Sequence, residues 1–366
     1  MANKIRARDI ARTAGVSPST VSRILNGTAL VSPEVQARVR AAAMESGFRL
    51  EPTDRTKPIA FLLSNRSLLH PFHSRVLIGA EAFCSENNYS ILFLPFHYSP
   101  DIPWQEIRLP KILQRRDQIS GFVVAGTNSQ NLFDLLTSKQ IPFAVLGNNV
   151  LDGWKSNEYD SVWFDDEQSA YEMTRHLQSV GHRDIWFVGN CRFPWFSRLH
   201  KGYVRGMEEA GLTPRLAEFD AEQEENVGYL GAKSIFRSGE TATAIFAGTD
   251  VCAHGVYNAL RDLNVRVPED VSVVGCDDSD ALKLYPPLTT IRVFAEQVGA
   301  HLSQLVLNRI AQPDRAAQRY TIPTQIIKRE SSGPPLRSAV AAGVDESSGA
   351  GLQEGLIYKS RSEGTN

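Results

Sequence analysis

The chain has 366 residues, 42% of them apolar and 22% charged, with a formal net charge of −2, the balance of an ordinary globular protein of about two to three domains. No apolar run approaches the roughly 20 residues that span a bilayer, no apolar segment follows Met1 to serve as a signal peptide, and Cys84, Cys191, Cys252 and Cys276 make no Cys-x-x-Cys pair. Neither a helical membrane span nor an exported, disulfide-bonded fold is expected, and a cytoplasmic location with reduced thiols is.

Charge is unevenly spread: residues 1–57 hold ten Lys/Arg against five Asp/Glu, so the remainder is acidic. This suggests a polyanion partner for the N-terminal module, with a merely solvated basic helical face as the alternative. Three short helices are predicted there. The first covers Asp9 to Ala14 and ends at Gly15, a residue suited to the left-handed turn after a helix, with Val16 as a core plug. Ser17 stands where an N-cap belongs, and Pro18 at the first helical position, where its missing N–H costs nothing. The second helix runs from Ser19 to Leu25 and stops at Asn26-Gly27. Ser32-Pro33 repeats the cap signal for a third, whose Val35, Val39, Ala42 and Ala43 share a face and which Gly47 closes.

Two short helices about a Gly-containing turn make a helix-turn-helix, whose second helix lies in the major groove with its N-terminal side chains toward base edges. Val21, Ile24 and Leu25 belong to the core, which turns Pro18, Ser19, Ser22 and Arg23 outward. An arginine there can pair with guanine O6 and N7, worth about 1–3 kcal/mol of discrimination; taken singly, Arg23 is equally a surface arginine on a packing helix. The ungapped string Asp9-Ile10-Ala11 followed by Ala14-Gly15-Val16-Ser17-Pro18-Ser19-Thr20-Val21-Ser22-Arg23-Ile24-Leu25-Asn26-Gly27 closely resembles the headpiece of the lac-repressor (LacI/GalR) family. The resemblance implies base reading by Pro18, Ser19 and Arg23. It implies contacts to phosphates and to the edges of the reading helix from Thr20, Ser22 and Asn26, with Ser17 at the cap beside them. Where the family often carries Thr or Ser near the start of the first helix, this chain carries Arg6, which joins the DNA-facing set.

The connection that follows departs from the family. Its Ala-Arg-x-Leu hinge, which folds on DNA and wedges a Leu into the minor groove, has no counterpart in Phe48-Arg49-Leu50-Glu51-Pro52-Thr53-Asp54-Arg55-Thr56-Lys57-Pro58. The linker 49–58 is shorter than the family's by roughly two helical turns. Pro52 and Pro58 interrupt any helix in it, and no residue is placed as an apolar wedge. Weak DNA bending is expected.

From Ile59 onward, short apolar strands alternate with amphipathic helices. Strands are predicted at Ile59–Leu63, Ser90–Leu94, Gly121–Ala125, Phe143–Leu146, Ile185–Val188, Ala244–Ala247 and Val271–Gly275, and helices near 74–88, 129–139, 167–180, 198–210, 228–238, 251–264 and 294–310. This alternation predicts parallel sheets covered by helices on both faces, with ligand at the carboxyl ends of the strands. The resemblance continues through His70-Pro71-Phe72-His73, Asp165-Asp166, Gly181-His182, Thr249-Asp250, the run Val267 to Asp278 and the run Pro286 to Arg292. It implies an α/β sensor of two periplasmic-binding-protein-like subdomains, about 59–160 with 293–318 and 161–292 with 319–332, behind an all-α headpiece of residues 1–48.

A sugar-like effector offers hydroxyls to carboxylates and arginines, and a ring face to aromatic side chains. Loop-end residues that fit are Phe72, His73, Asn148, Asp165, Trp195, Arg198, Asp250 and Asp277. Asp277 and Asp250 follow apolar strands and are the expected hydroxyl acceptors; a helix cap or salt bridge is the alternative for Asp277, and ordinary packing for Phe72 and Trp195. The family's effector arginine falls on Leu199, one step from Arg198, and Asn148 stands where many relatives carry Arg. The resemblance thus implies a homodimer binding double-stranded operator DNA under the control of a small carbohydrate-like molecule. Repressor and activator stay open, and a transporter's solute-binding protein is a remote alternative. No Gly-x-Ser-x-Gly, His-Glu-x-x-His or Gly-x-x-x-x-Gly-Lys motif points to catalysis, and no cofactor or metal is called for. Residues 333–366, rich in Ser, Gly and Ala, read as a disordered tail.

Overall fold

The computed structural model describes residues 7–25, 32–46, 57–66, 70–111, 118–221 and 223–336. Arg6, Asn26, nearly all of the linker and the tail from 337 lie outside the described residues, as does the side chain of Arg23.

Three helices, α1 (Ala7–Ala14), α2 (Pro18–Leu25) and α3 (Pro33–Glu45), make the headpiece. Ile10, Ala11 and Ala14 of α1, Val21 and Ile24 of α2, and Val39, Ala42 and Ala43 of α3 close into one core, with Val16 and Val35 packed against it. Gly15 takes φ +64°, the left-handed value that lets the chain turn from α1 into α2. Ser32 stands at the cap of α3; its hydroxyl makes no capping bond, but its carbonyl accepts the Val35 and Gln36 N–H groups, and Pro33 fills the first helical position.

The remaining chain divides into two units, which exchange chain after residues 164, 293 and 322. The first contains β1 (Ile59–Ser64), α4 (Pro71–Glu86), β2 (Ile91–Phe96), β3 (Gly121–Gly126), α5 (Gln130–Ser138), β4 (Phe143–Leu146), β5 (Asp160–Phe164), α10 (Ala295–Ala311) and β11 (Arg319–Ile322). The second contains α6 (Asp166–Ser179), β6 (Ile185–Gly189), α7 (Pro194–Glu209), β7 (Arg215–Glu218), α8 (Glu224–Arg237), β8 (Ala244–Ala247), α9 (Asp250–Asp262), β9 (Ser272–Asp277), β10 (Thr289–Arg292) and β12 (Gln325–Ile327). The first sheet runs β11-β5-β4-β3-β1-β2, parallel throughout; the second runs β12-β10-β9-β8-β6-β7, with only β12 antiparallel.

The strands β1, β3, β4, β8 and β9 are buried along their whole length, which is why they read in the sequence as continuous apolar runs. Residues 319–322 correct the expected boundary. Their register with β5, Arg319 opposite Ser161 through Ile322 opposite Phe164, puts them in the first unit. The helices flanking each sheet touch through glycine. A Cβ on Gly79 of α4 would lie 1.9 Å from the Glu296 carbonyl oxygen of α10, and one on Gly255 of α9 would lie 1.8 Å from that of Glu225 in α8. No side chain fits at either crossing.

The start of the expected tail is also corrected. Ser331 is fully buried, and the carbonyl of Gly333 lies 2.8 Å from Nε2 of the buried His182, so residues 331–333 pack on the second unit. Among the described residues, no helix is long and apolar enough to cross a membrane.

Candidate functional site

The headpiece presents the N-terminal turn of α2. Ser17 Oγ accepts the Thr20 N–H at 3.1 Å and lies 2.8 Å from both the Ser19 and Thr20 hydroxyls. Ser17, Pro18, Ser19 and Ser22 are exposed and Thr20 is half-buried, while Val21 and Ile24 on the opposite face anchor the helix. A helix N-terminus carries partial positive charge and unpaired N–H groups. Joined to a row of small hydroxyls that hinder no close approach, it suits the edge of a phosphodiester backbone or a base. Ser17→Ala should lower headpiece stability by about 1 kcal/mol through loss of the cap and weaken DNA binding with it; an unchanged melting curve would remove Ser17 from that role.

In the first unit, Phe72 stands one residue into α4, edge-on to Phe164 at 5.9 Å and to His73 at 5.3 Å. His73 Nε2 lies 3.2 Å from the Asn149 amide nitrogen. Asn148, expected at the effector, is fully buried. It donates to the Phe164 carbonyl at 2.8 Å and accepts the Phe164 N–H at 2.9 Å, so it stitches the end of β5 to the turn after β4.

In the second unit, Asp165 caps α6 by accepting the Gln168 N–H, and it is exposed. Arg198, expected at the effector, grips Asp166 bidentately with its guanidinium at 2.8–3.0 Å, tying α7 to α6. Trp195 is buried and stacked on Phe193 at 4.8 Å. Leu199, at the family's arginine position, lies in the core.

Asp277 and Asp250 divide the remaining work. Asp277 ends β9 with φ +99° and Asp278 follows with φ +53°, two successive non-glycine residues in the left-handed region. Such conformations cost about 1–3 kcal/mol each and persist only where the surroundings impose them. Asp277 Oδ1 accepts the Ser279 N–H at 2.9 Å, and its residue is 7% exposed. Asp250 has no exposed surface. Its Oδ1 accepts from the Thr290 hydroxyl at 2.6 Å and its Oδ2 from the Asp280 N–H at 3.4 Å. The expected open acceptor at Asp250 is therefore corrected to a strut beneath the Asp277 turn.

Burial, opposed by the Thr290 hydrogen bond and reinforced by nearby Asp278, pushes the Asp250 carboxyl up to about 7. The folded chain thus keeps a proton there that the unfolded chain gives up near pH 4. Stability should fall as pH climbs from about 4 toward 7, then level off, by an amount of the order of a few kcal/mol. Melting temperatures across that window should decline less steeply in Asp250→Asn than in the wild type; parallel curves would exclude Asp250 as the cause.

Comparison with known proteins bears on both parts. Residues 174–332 match the periplasmic binding protein-like domain family, and residues 7–50 match the family described as bacterial regulatory proteins, lacI family. The chain joins a lacI-family headpiece to a periplasmic binding protein-like domain. Relatives include the ribose operon repressor of Haemophilus influenzae, 28% identical over 338 residues that span 88% of this chain and 97% of the relative. The transcriptional repressor PurR of Edwardsiella ictaluri is 29% identical over 338 residues, 88% of this chain and 96% of its own. Among solved structures, the lac repressor dimer bound to operator and an anti-inducer superposes with TM-score 0.71 at 22% identity, covering 90% of this chain and all of that one. An Enterococcus faecalis lacI-family regulator with bound ribose gives 0.61 at 27% identity, over 76% of this chain and 99% of that one. The protein is a DNA-binding transcription regulator.

Sequence reading missed Asp278, Thr290, Arg292 and Arg329, which surround the Asp277 turn of this DNA-binding regulator. Asp278 carries a signal in its place directly after Asp277. Arg329 carries none, since 51 residues separate it from the carboxylate that it holds.

Proposed function

We propose that the protein is a homodimeric, cytoplasmic repressor that reads a near-palindromic operator through α2 and answers to a small carbohydrate-like effector at the strand ends of its second unit. The observation that carries the DNA half is the capped, hydroxyl-lined N-terminus of α2 standing on the Ile10–Val21–Val39 core. Repressor as the sign of control draws on the names of the ribose operon repressor and the transcriptional repressor PurR. A sugar as effector draws on the ribose-bound structure and on a cellobiose complex of the regulator CelR, TM-score 0.66. Asp277 is the carboxylate offered to hydroxyls, and Trp195, at the start of the helix that follows β6, is the aromatic face offered to a sugar ring.

Two copies are needed because one headpiece of this size buries too little surface to hold an operator specifically at cellular salt. The second unit exposes Leu282 (73%) and Tyr285 (91%) on the loop after β9, the apolar side chains expected of a subunit contact. Selection of bound sequences from random DNA should return a two-fold site. Arg23→Ala should then relax preference at one base pair per half-site, at a cost of about 1–3 kcal/mol, whereas loss of a phosphate contact weakens all sequences alike. An unchanged ratio of operator to scrambled-DNA affinity in Arg23→Ala would refute α2 as the reading helix.

A further inference from the structure

We propose that Arg329 and Arg292, acting through Asp278, are positioning residues that fasten the Asp277 turn to the strands carrying the chain between its two units, so that occupancy at Asp277 is felt at those crossings. The inference rests on Asp277 facing the effector.

The turn cannot hold itself. Asp277 and Asp278 are both left-handed, at φ +99° and +53°, and neither has the freedom of glycine. Its support is ionic and largely dry. The Asp278 side chain is 6% exposed and takes Arg292 Nε on Oδ2 and Arg329 Nη2 on Oδ1, each at 2.6 Å. Arg329 Nη1 also donates to the Leu288 carbonyl at 2.7 Å, so one planar fork spans the turn and the approach to β10. A lysine carries the charge but cannot hold both acceptors in that fixed geometry.

Both arginines sit by a crossing. Arg292 ends β10; the next residue, Val293, donates its N–H to the Asp277 carbonyl, and the chain then leaves the unit. The chain re-enters after residue 322 and forms β12, whose Gln325 pairs with Arg292, and Arg329 follows two residues beyond that strand. From the other side, Asp250 holds Thr290 of β10 and the Asp280 N–H. The effector carboxylate, its turn and both crossing segments are therefore one hydrogen-bonded piece. A ligand shifts a conformational equilibrium only by its differential affinity for the two states, and this piece is the means by which a contact at Asp277 acquires one.

Hydrogen exchange on the full chain without any sugar tests the linkage directly. Arg329→Gln should speed exchange at 277–280 about tenfold or more, the scale of one lost charged hydrogen bond. Peptides spanning 292–294 and 322–326 should speed up in step, while β6 and β8 stay protected. Arg329→Lys should fall between wild type and Arg329→Gln. Faster exchange confined to 277–280, or no change in either variant, would overturn the proposal. In a second arm, operator affinity is measured with and without saturating ribose or cellobiose. Arg329→Gln should shrink the ratio several-fold for whichever sugar gives one, and an unchanged ratio also overturns the proposal. Asp277→Ala separates the two ideas: if sugar binding is unchanged in it, the effector reading fails, while the exchange arm still decides whether the clamp links turn and crossings.

Discussion

The double variant Leu282→Asp with Tyr285→Asp is expected to be a folded monomer that has lost at least about 100-fold in operator affinity. Both side chains stand almost free on the loop between β9 and β10, at 73% and 91% exposure, so their replacement removes nothing from the core of the second unit and should leave the melting temperature within a few degrees of wild type. A paired surface is another matter. Burial of each large apolar side chain contributes about 1.5–3 kcal/mol, a two-fold axis counts every contact twice, and two carboxylates facing their own copies add repulsion. Loss of the dimer then costs the second half-site, and one headpiece is left to work near its non-specific limit. Sedimentation at micromolar concentration and a gel-shift titration suffice. A variant that still sediments as a dimer would show that this loop is not the contact; a monomer with wild-type operator affinity would overturn the two-half-site reading itself.

What the sequence disclosed, and what it withheld, follows from how far apart the deciding residues lie. The headpiece is local. Gly15, Ser17-Pro18 and the spacing of Val35, Val39, Ala42 and Ala43 are each settled within one or two helical turns, and their core is the one that pattern predicts. Central strands such as Phe143–Leu146 and Ala244–Ala247 announce themselves by unbroken apolar runs, because both faces of a parallel sheet are covered. The edge strands β7, β11 and β12 do not. Arg215–Glu218, Arg319–Ile322 and Gln325–Ile327 are short and half-exposed, and carry polar residues at their ends. The site is the least legible part, since an isolated carboxylate after a strand looks the same whether it faces a ligand or a buried hydroxyl. Asp250 and Asp277 share that signal and both are buried; the Thr290 hydroxyl on one oxygen of Asp250 and the Asp280 N–H on the other mark Asp250 as the strut. Arg198 and Asn148 were likewise plausible by residue type, and are engaged by Asp166 and by the Phe164 backbone.

Asp277→Ala should abolish the rise in melting temperature produced by an active sugar while leaving effector-free operator binding within about threefold of wild type. A carboxylate that accepts sugar hydroxyls makes charge-assisted bonds worth roughly 1.5–3 kcal/mol each, so loss of two lowers affinity at least about 100-fold. At sugar concentrations near 100 times the wild-type Kd, the stabilisation by mass action is about 2.7 kcal/mol, and most of it would vanish. The effector-free fold should tolerate the change. The ion pairs beside it are built on Asp278 and the buried strut on Asp250, and the substitution removes neither, although alanine at φ +99° keeps the backbone strain without the Asx bond to Ser279. Asp277→Asn, which retains a side-chain oxygen for that bond, is the companion that separates charge from local geometry. If alanine abolishes the sugar response and asparagine restores part of it, the carboxylate is the acceptor. If both variants respond to ribose and cellobiose as fully as the wild type does, the effector is held by other residues and Asp277 leaves the site.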